Sequence, residues 1–279
     1  MEVVKTADIR LVALDMDGTL VNTFKKVAPR DLETLKKAMA RGVEVVPASG
    51  RTLHTLPEEL LALDGLRYFI SCNGARISDR LTGRPVYLRT VPQSLLLPIM
   101  EEAKKYDCVR EAAIDDSLYL ARQDDEKELT FLPPYQHDFL RAMRTLTDDF
   151  EGKLREAKDG AEKILIFFTK SEDADAFRAW LHENYDLSVS SSLDRNLEIN
   201  APGVSKGAAL TALAEHLGLS MSAVMACGDS ENDMDMLRAA GLGIAMENAT
   251  AEVLAIADAV TLSNDNCGVS AAIERYVLV

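Results

Sequence analysis

The sequence holds no apolar run near the ~20 residues that a membrane-spanning helix needs. Runs such as Leu11–Leu14 and Ile164–Phe168 are far shorter. The first residues include an acid and no long apolar stretch, so no secretory leader and no membrane partner are expected. Cysteine is sparse: Cys72, Cys108, Cys227 and Cys267 are scattered, with no C-x-x-C pair. That pattern speaks against a disulfide framework or a zinc site and for a reduced, cytoplasmic setting. Positive charge is in deficit, with 31 Lys and Arg against 45 Asp and Glu and a net charge of −14. Nucleic-acid backbones are held by clustered Lys and Arg, so a nucleic-acid partner is not expected. No G-x-G-x-x-G follows the first apolar strand, which argues against a dinucleotide-binding oxidoreductase. Internal repeats and low-complexity tracts are also missing.

What is present is an ordinary globular composition, 47% hydrophobic and 27% charged over 279 residues, enough for one large core or two modest ones. The most informative stretch is Leu11-Val12-Ala13-Leu14-Asp15-Met16-Asp17-Gly18-Thr19-Leu20. Four apolar residues read as a buried strand, and two carboxylates two positions apart follow it. Strand side chains alternate between faces, so both acids reach one side only if the backbone bends, which Gly18 permits. In open α/β sheets the carboxyl ends of the strands are where ligands bind. Two acids crowded there cost stability unless a cation or proton is shared between them. A plain polar turn is the alternative reading. An EF-hand is excluded because Gly18 comes too early and no closing Glu follows at its spacing.

Strands and helices alternate around this motif. Helical patterns near Pro29–Arg41 and Leu56–Leu63 separate apolar runs at Val43–Val46 and Tyr68–Ser71. The alternation resumes with a strand at Ala223–Cys227, a helix at Glu231–Ala240, a strand at Leu242–Ala245 and a helix at Ala251–Ala257. This spacing predicts βαβ units and a parallel, Rossmann-like sheet. The middle of the chain differs, since residues 84–189 carry 12 of the 16 aromatic residues, including Trp180. That concentration predicts a second hydrophobic core. Its expected strands are Val109–Ile114, Ser117–Ala121, Lys163–Thr169 and Leu187–Ser190. Its expected helices are Pro92–Lys105, Tyr135–Phe150 and Asp173–Glu183, with turns at Pro133-Pro134 and Asp159-Gly160. The expected organisation is therefore an α/β core formed by 1–83 and 190–279, split by an inserted α/β domain over 84–189. Hinges are expected near Gly83–Pro85 and Ser188–Asp194.

Three further stretches carry chemistry. In Val224-Met225-Ala226-Cys227-Gly228-Asp229-Ser230-Glu231-Asn232-Asp233 an apolar strand again ends in an acid. Ser230 and Asp233 can form a helix capping box, which does not account for Asp229. Asp15, Asp17 and Asp229 would bring hard oxygen ligands to one edge in the number that suits Mg²⁺. Gly203-Val204-Ser205-Lys206-Gly207 opens a helical pattern with a lysine in its first turn, against the macrodipole at a cost of about 0.3–1 kcal/mol. Lys206 is either a solvated loop-end lysine or a cation kept to bind an anion and offset the acids. Pro47-Ala48-Ser49-Gly50-Arg51 places a hydroxyl, a glycine amide and a guanidinium after a strand, and Cys72-Asn73-Gly74-Ala75 follows another. Each alone reads first as a turn.

The four pieces in this order resemble the haloacid dehalogenase superfamily of phosphohydrolases, through D-x-D-G-T at Asp15–Thr19, Ser49, Lys206 and G-D-x-x-N-D at Gly228–Asp233. The position of the insert and the P-x-S-G-R and C-N-G-A runs resemble its Cof-type, class IIB branch. The resemblance implies an Mg²⁺-dependent phosphatase of small phosphorylated metabolites, such as sugar phosphates, acting through an aspartyl-phosphate. It implies Asp15 as nucleophile and Asp17 as general acid and base. Ser49, Gly50, Lys206 and Asn232 would bind phosphate. The metal would be held by Asp15, the backbone carbonyl of Asp17, and Asp229, with Asp233 and Thr19 beside it. Arg51 and Asn73 would be substrate contacts, and the insert would be a cap over the strand ends. A phosphomutase or phosphotransferase on the same fold, or a silent binding module, are the alternatives that activity assays separate. The sequence does not indicate an oligomeric state.

Overall fold

The computed structural model describes residues 8–131, 134, 137–191 and 195–279, the side chains of Phe139 and Leu140 excepted. In chain order the strands are β1 (Leu11–Asp15), β2 (Glu44–Ala48), β3 (Tyr68–Ser71), β4 (Arg76–Asp79), β5 (Arg84–Leu88), β6 (Cys108–Ile114) and β7 (Ser117–Ala121). They continue with β8 (Thr145–Thr147), β9 (Lys163–Phe168), β10 (Ser188–Ser190), β11 (Asn196–Asn200), β12 (Val224–Gly228), β13 (Leu242–Ala245) and β14 (Ala259–Val260).

The chain divides into two compact units. The first takes in the chain up to Arg51, Leu56–Tyr87 and Ser205–Val279. Its sheet has the order β14-β13-β12-β1-β2-β3-β4-β5, and the run from β14 to β3 is parallel. β1 lies at the centre, with all five residues buried, as expected of a strand covered on both faces. Its register sets Leu14 against Cys227 on one side and Asp15 against Ala48 on the other, so the carboxyl ends of β12, β1 and β2 come level. β2 pairs with β3 at Ala48 and Ile70 alone, since Pro47 has no N–H to extend that ladder. Leu11, Ala13, Val46, Ile70, Leu210, Leu213, Val224 and Ala226 belong to one buried cluster, which joins the sheet to the helix Lys206–His216. The parallel Rossmann-like core is thus as expected. The antiparallel strand β4 and the edge strand β5 extend it beyond the expected elements.

The second unit comprises Thr52–Thr55 and Leu88–Val204. Its sheet has the order β10-β11-β9-β6-β7-β8, antiparallel except between β7 and β8. One face carries a buried cluster that includes Ile99, Phe150, Ile164, Phe168, Phe177 and Leu197. Phe168, Phe177, Trp180 and Tyr185 pack in succession, tilted or edge-on, with centroid spacings of 5.3–5.4 Å. The aromatic concentration does mark a separate core. The boundaries move, however: β5 pairs in the first sheet, and β11 pairs with β9 in the second. The units therefore divide at Tyr87–Leu88, a few residues past the hinge expected near Gly83–Pro85, and at Val204–Ser205, beyond the expected end of the insert at 189.

The helix expected over Tyr135–Phe150 is another correction. Its place is taken by a helix at His137–Ala142, the strand β8, and a helix at Phe150–Glu156 whose N-cap Asp149 accepts a hydrogen bond from the Gly152 amide. Thr145 and Thr147 favour the extended backbone, and Asp149 stops any helix that would run through it. Tyr135, Pro133 and residues 192–194 of the expected hinge lie outside the described residues.

Candidate active site

The site lies in the first unit, at the carboxyl ends of β1, β2 and β12. Asp15 ends β1 and is buried. Immediately after it the chain turns, with the Leu20 amide bonding back to the Asp15 carbonyl at 3.2 Å and the Val21 amide to that of Met16 at 2.8 Å. Gly18 makes the turn possible with φ +84°, and a Cβ there would lie 2.4 Å from Asp229 Oδ2. The glycine therefore serves twice: it accepts a left-handed backbone and lets the β12 loop approach.

Lys206 is the first residue of its helix, whose N-cap Ser205 accepts a hydrogen bond from the Ala208 amide at 3.1 Å. Its side chain is 1% exposed, and Nζ donates to Asp15 Oδ1 at 2.6 Å and Asp233 Oδ1 at 2.7 Å. The helix start is held close to the turn after β3, where a Cβ on Gly74 would lie 2.2 Å from the Ser205 carbonyl oxygen. The unfavourable position of this cation against its own helix is offset by two carboxylates. The solvated-lysine reading fails, since the ammonium is inside.

Asp233 completes a capping box with Ser230. Its Oδ2 accepts from the amides of Asp229 and Ser230, both at 3.0 Å, while Oδ1 faces Lys206. One side chain thus caps a turn and fixes the backbone that presents Asp229. Asp229 accepts from Thr19 Oγ1 on Oδ1 and from Ser230 Oγ on Oδ2, each at 3.0 Å. Asp15, Asp229 and Asp233 each bring a carboxylate oxygen within 4.8 Å of the others. The Asp17 carboxylate, expected near this group, lies instead on Arg51 and Lys25. Arg51 Nε reaches Oδ2 at 2.8 Å, Arg51 Nη2 reaches Oδ1 at 2.5 Å, and Lys25 Nζ reaches Oδ1 at 2.7 Å.

Electrostatics separate the two acids of the motif. Burial, then the charges of Asp233 and Asp229, push Asp15 well above the usual carboxylate range, against the pull of Lys206. Burial followed by the Asp233 charge also raises Asp229. For Asp17 burial alone would act upward, but Arg51 and Lys25 outweigh it and hold the carboxyl below its ordinary value. Burial works against the Lys206 charge, yet its two carboxylate partners prevail and raise its pKa.

The other expected residues are placed as follows. Ser49 is buried just past β2, and its Oγ accepts from the Arg51 amide at 3.2 Å. Gly50 lies between them, half-buried. Asn73 has φ +60°, and its amide donates to the Ser49 carbonyl at 3.0 Å, tying together the chain after β3 and the chain after β2. Asn232 is exposed in the short turn between Ser230 and Asp233, away from the buried cluster's hydrogen bonds. Lys25 was not anticipated, because its turn folds back through Asn22, and eight residues of separation give no signal for a contact with Asp17. Asn248 was missed as well; its Nδ2 donates to the Gly18 carbonyl at 2.8 Å.

Comparison with known proteins accords with this arrangement. A family model described as haloacid dehalogenase-like hydrolase matches residues 12–273. The chain is 31% identical over 271 residues to the 5-amino-6-(5-phospho-D-ribitylamino)uracil phosphatase YcsE of Bacillus subtilis, covering 97% of each. It is 31% identical over 270 residues to a phosphoglycolate phosphatase of Methanoculleus marisnigri, covering 96% of this chain and 97% of that one. A solved haloacid dehalogenase-like hydrolase from Bacteroides thetaiotaomicron superposes with a TM-score of 0.82 at 29% identity, covering 96% of this chain and 99% of the other. The chain belongs to the haloacid dehalogenase-like hydrolases.

Proposed function

We propose that the protein is an Mg²⁺-dependent phosphatase that hydrolyses small phosphomonoesters through an aspartyl-phosphate on Asp15. The observation that carries this reading is the charge balance of the buried cluster. Asp15, Asp229 and Asp233 face a single ammonium, Lys206, so two negative charges are left over, the amount one divalent cation neutralises. The donors are all oxygen, carboxylate and carbonyl, which suits Mg²⁺. Asp233 spends Oδ1 on Lys206 and Oδ2 on two amides, which leaves Asp15 and Asp229, with the Asp17 carbonyl, as the ligands. Mg²⁺ bound there would supply Lewis-acid stabilisation of the charge on the transferring phosphoryl group.

The remaining chemistry belongs to the chain. Asp15, aimed by Lys206, attacks phosphorus as the bond to the ester oxygen breaks. With the negative charge of the phosphate ester beside it Asp17 takes up a proton, gives it to the departing alkoxide, then takes one from the water that attacks the aspartyl-phosphate, releasing phosphate and restoring Asp15. Lys206 and Ser49 with the Gly50 amide bind phosphoryl oxygens, and Thr19 orients Asp229. Asn232, exposed in the turn after β12, is kept as a phosphate contact. The second unit is read as the cap that shields the reaction from water and contacts the leaving group. Small phosphorylated metabolites are the substrate class, and the free thiols fit a reducing, cytoplasmic setting.

The test is phosphate release from p-nitrophenyl phosphate by the wild type and Asp15→Asn, with EDTA and with Mg²⁺ added back. Loss of turnover in the variant and in EDTA, restored to the wild type by Mg²⁺, is expected. Near-wild-type turnover by Asp15→Asn, or full turnover in EDTA, would refute the assignment. Transfer of the phosphoryl group to an alcohol instead of water would establish the phosphotransferase alternative.

A further inference from the structure

We propose that Arg51 is the positioning residue of Asp17, and that it selects Asp17 Oδ2 as the oxygen through which the proton moves. The proposal rests on the reading of Asp17 as general acid and base. It assigns Arg51 to the proton donor instead of to the substrate.

Asp17 needs such a partner. Its side chain is 42% exposed, and a half-exposed carboxylate on a turn has several rotamers within reach. The Arg51 side chain is only 5% exposed. Its backbone is fixed on both sides, the amide to Ser49 Oγ at 3.2 Å and the carbonyl to the Cys72 amide at 2.9 Å, so the guanidinium is rooted in the chain after β2 and β3. Its Nε and Nη2 take both oxygens of Asp17 in a fork, at 2.8 and 2.5 Å, which sets the plane of the carboxylate as well as its place. Lys25 adds a third donor, at 2.7 Å on Oδ1. Lys25 sits in a left-handed conformation, φ +61°, within a turn closed by hydrogen bonds between Asn22 and Lys26 and between Lys25 and Asn22.

The donors are therefore divided unequally. A carboxylate offers about four lone-pair directions, two on each oxygen. Oδ1 accepts from Arg51 and Lys25, and among the described residues Oδ2 accepts from Arg51 alone, so the remaining direction is on Oδ2. In the first step Oδ2 would carry the proton to the ester oxygen as its bond to phosphorus breaks. In the second, Oδ2 would receive the proton of the attacking water. Lysine at position 51 would supply charge without the fork and leave the carboxylate plane free.

The readout is leaving-group dependence. p-Nitrophenolate departs with little help from an acid, whereas the alkoxide of an alkyl phosphate needs a proton. kcat/KM covers only the steps through departure of the leaving group, so hydrolysis of the aspartyl-phosphate does not enter. The experiment compares kcat/KM for p-nitrophenyl phosphate and for β-glycerophosphate in Asp17→Asn, Arg51→Ala, Arg51→Lys and the Asp17→Asn/Arg51→Ala double variant. Asp17→Asn is expected to lose about 10²-fold more on the alkyl ester than on the aryl ester. Arg51→Ala is expected to show the same selective loss, at least about tenfold, and Arg51→Lys a loss of the same kind. In the Asp17→Asn background, Arg51→Ala is expected to add less than about threefold, because the two residues act as one unit. Should Arg51→Ala fail to fold, Arg51→Lys keeps the packed stem and reads the same ratio. Equal losses on both esters in the Arg51 variants, or full additivity with Asp17→Asn, overturn the positioning role and put Arg51 on the phosphate. If Asp17→Asn itself shows no leaving-group preference, the acid assignment of Asp17 fails, and the role of Arg51 falls with it.

Discussion

Replacing Lys206 by Met removes one charge from a site that the fold has closed around it. Nζ stands 2.6 Å from Asp15 and 2.7 Å from Asp233, with the side chain 1% exposed. At an effective dielectric of about 20, each contact is a Coulomb attraction of about 6 kcal/mol before the cost of desolvating the ammonium is subtracted. Breaking a buried pair from one side typically costs about 3–5 kcal/mol, because the abandoned charge stays buried. Met keeps the volume, so a cavity adds little. The pH dependence distinguishes this cause from mere loss of packing. Asp15 is already raised by burial and by neighbouring acids, and Lys206 is the group that pulls it down. Without Lys206 its folded pKa climbs further above the unfolded value of about 3.9, so the folded state retains a proton that the unfolded state gives up. Stability is then present at low pH and lost as pH rises through the folded pKa. The expected result, by chemical denaturation in EDTA, is a Lys206→Met deficit of about 3–5 kcal/mol near pH 8 that shrinks toward pH 5. EDTA keeps a divalent cation from standing in for the lost charge. A deficit under about 1 kcal/mol at pH 8, or one constant with pH, would refute the account of Lys206 as the counter-charge of this cluster.

Much of this site was legible because its chemistry is written in short segments. Asp15, Asp17 and Thr19 follow one strand, and Asp229 and Asp233 follow another, so strand alternation and capping rules were enough to place them at sheet ends. Lys206 was legible as an anomaly, a cation at the wrong end of a helix. Contacts made by chain reversal were hidden. Lys25 returns to Asp17 through a tight turn of polar residues that carries no periodicity, and Asn248 reaches the Gly18 carbonyl across 230 positions. The partner of the Asp17 carboxylate was misplaced for a related reason. Spacing tells that Asp17 and Arg51 lie near one edge, but whether the carboxylate turns to the acid cluster or to the guanidinium depends on a rotamer. The fold shows the same division. Buried parallel strands declare themselves by continuous apolar runs, whereas β5, with exposed or half-buried residues only, and the three-residue β8 have too little apolar pattern to be seen. β11 fell in the expected core half, 190–279, and was not seen as a strand, because its polar residues Asn196, Glu198 and Asn200, buried in the second sheet, break the apolar pattern.

Gly18→Ala is expected to raise the Mg²⁺ concentration for half-maximal turnover by about 10–100-fold, since a Cβ there meets the Asp229 carboxylate at 2.4–2.9 Å. Gly42→Ala is its control, with a similar φ of +80° and nothing within 4 Å; it should cost about 1–2 kcal/mol of stability and leave the Mg²⁺ requirement unchanged. An unchanged requirement in Gly18→Ala would remove Asp229 from the metal site. The last prediction concerns the second unit, where Arg144 meets two buried carboxylates, Glu111 at 3.1 Å and Glu128. One guanidinium balances one of the two acids. Burial and then the charge of Glu111 push Glu128 up to about 9. The folded state therefore holds a proton that the unfolded chain releases above about pH 4.5, and stability from this group declines as pH rises toward 9. The limiting slope is about 1.4 kcal/mol per pH unit for one proton. Glu128→Gln makes the proton permanent, so unfolding followed through Trp180 fluorescence should lose less stability between pH 6 and pH 9 than the wild type does. Parallel pH profiles for the two proteins would mean that Glu128 is ionised in the fold and that Arg144 sustains both carboxylates by itself.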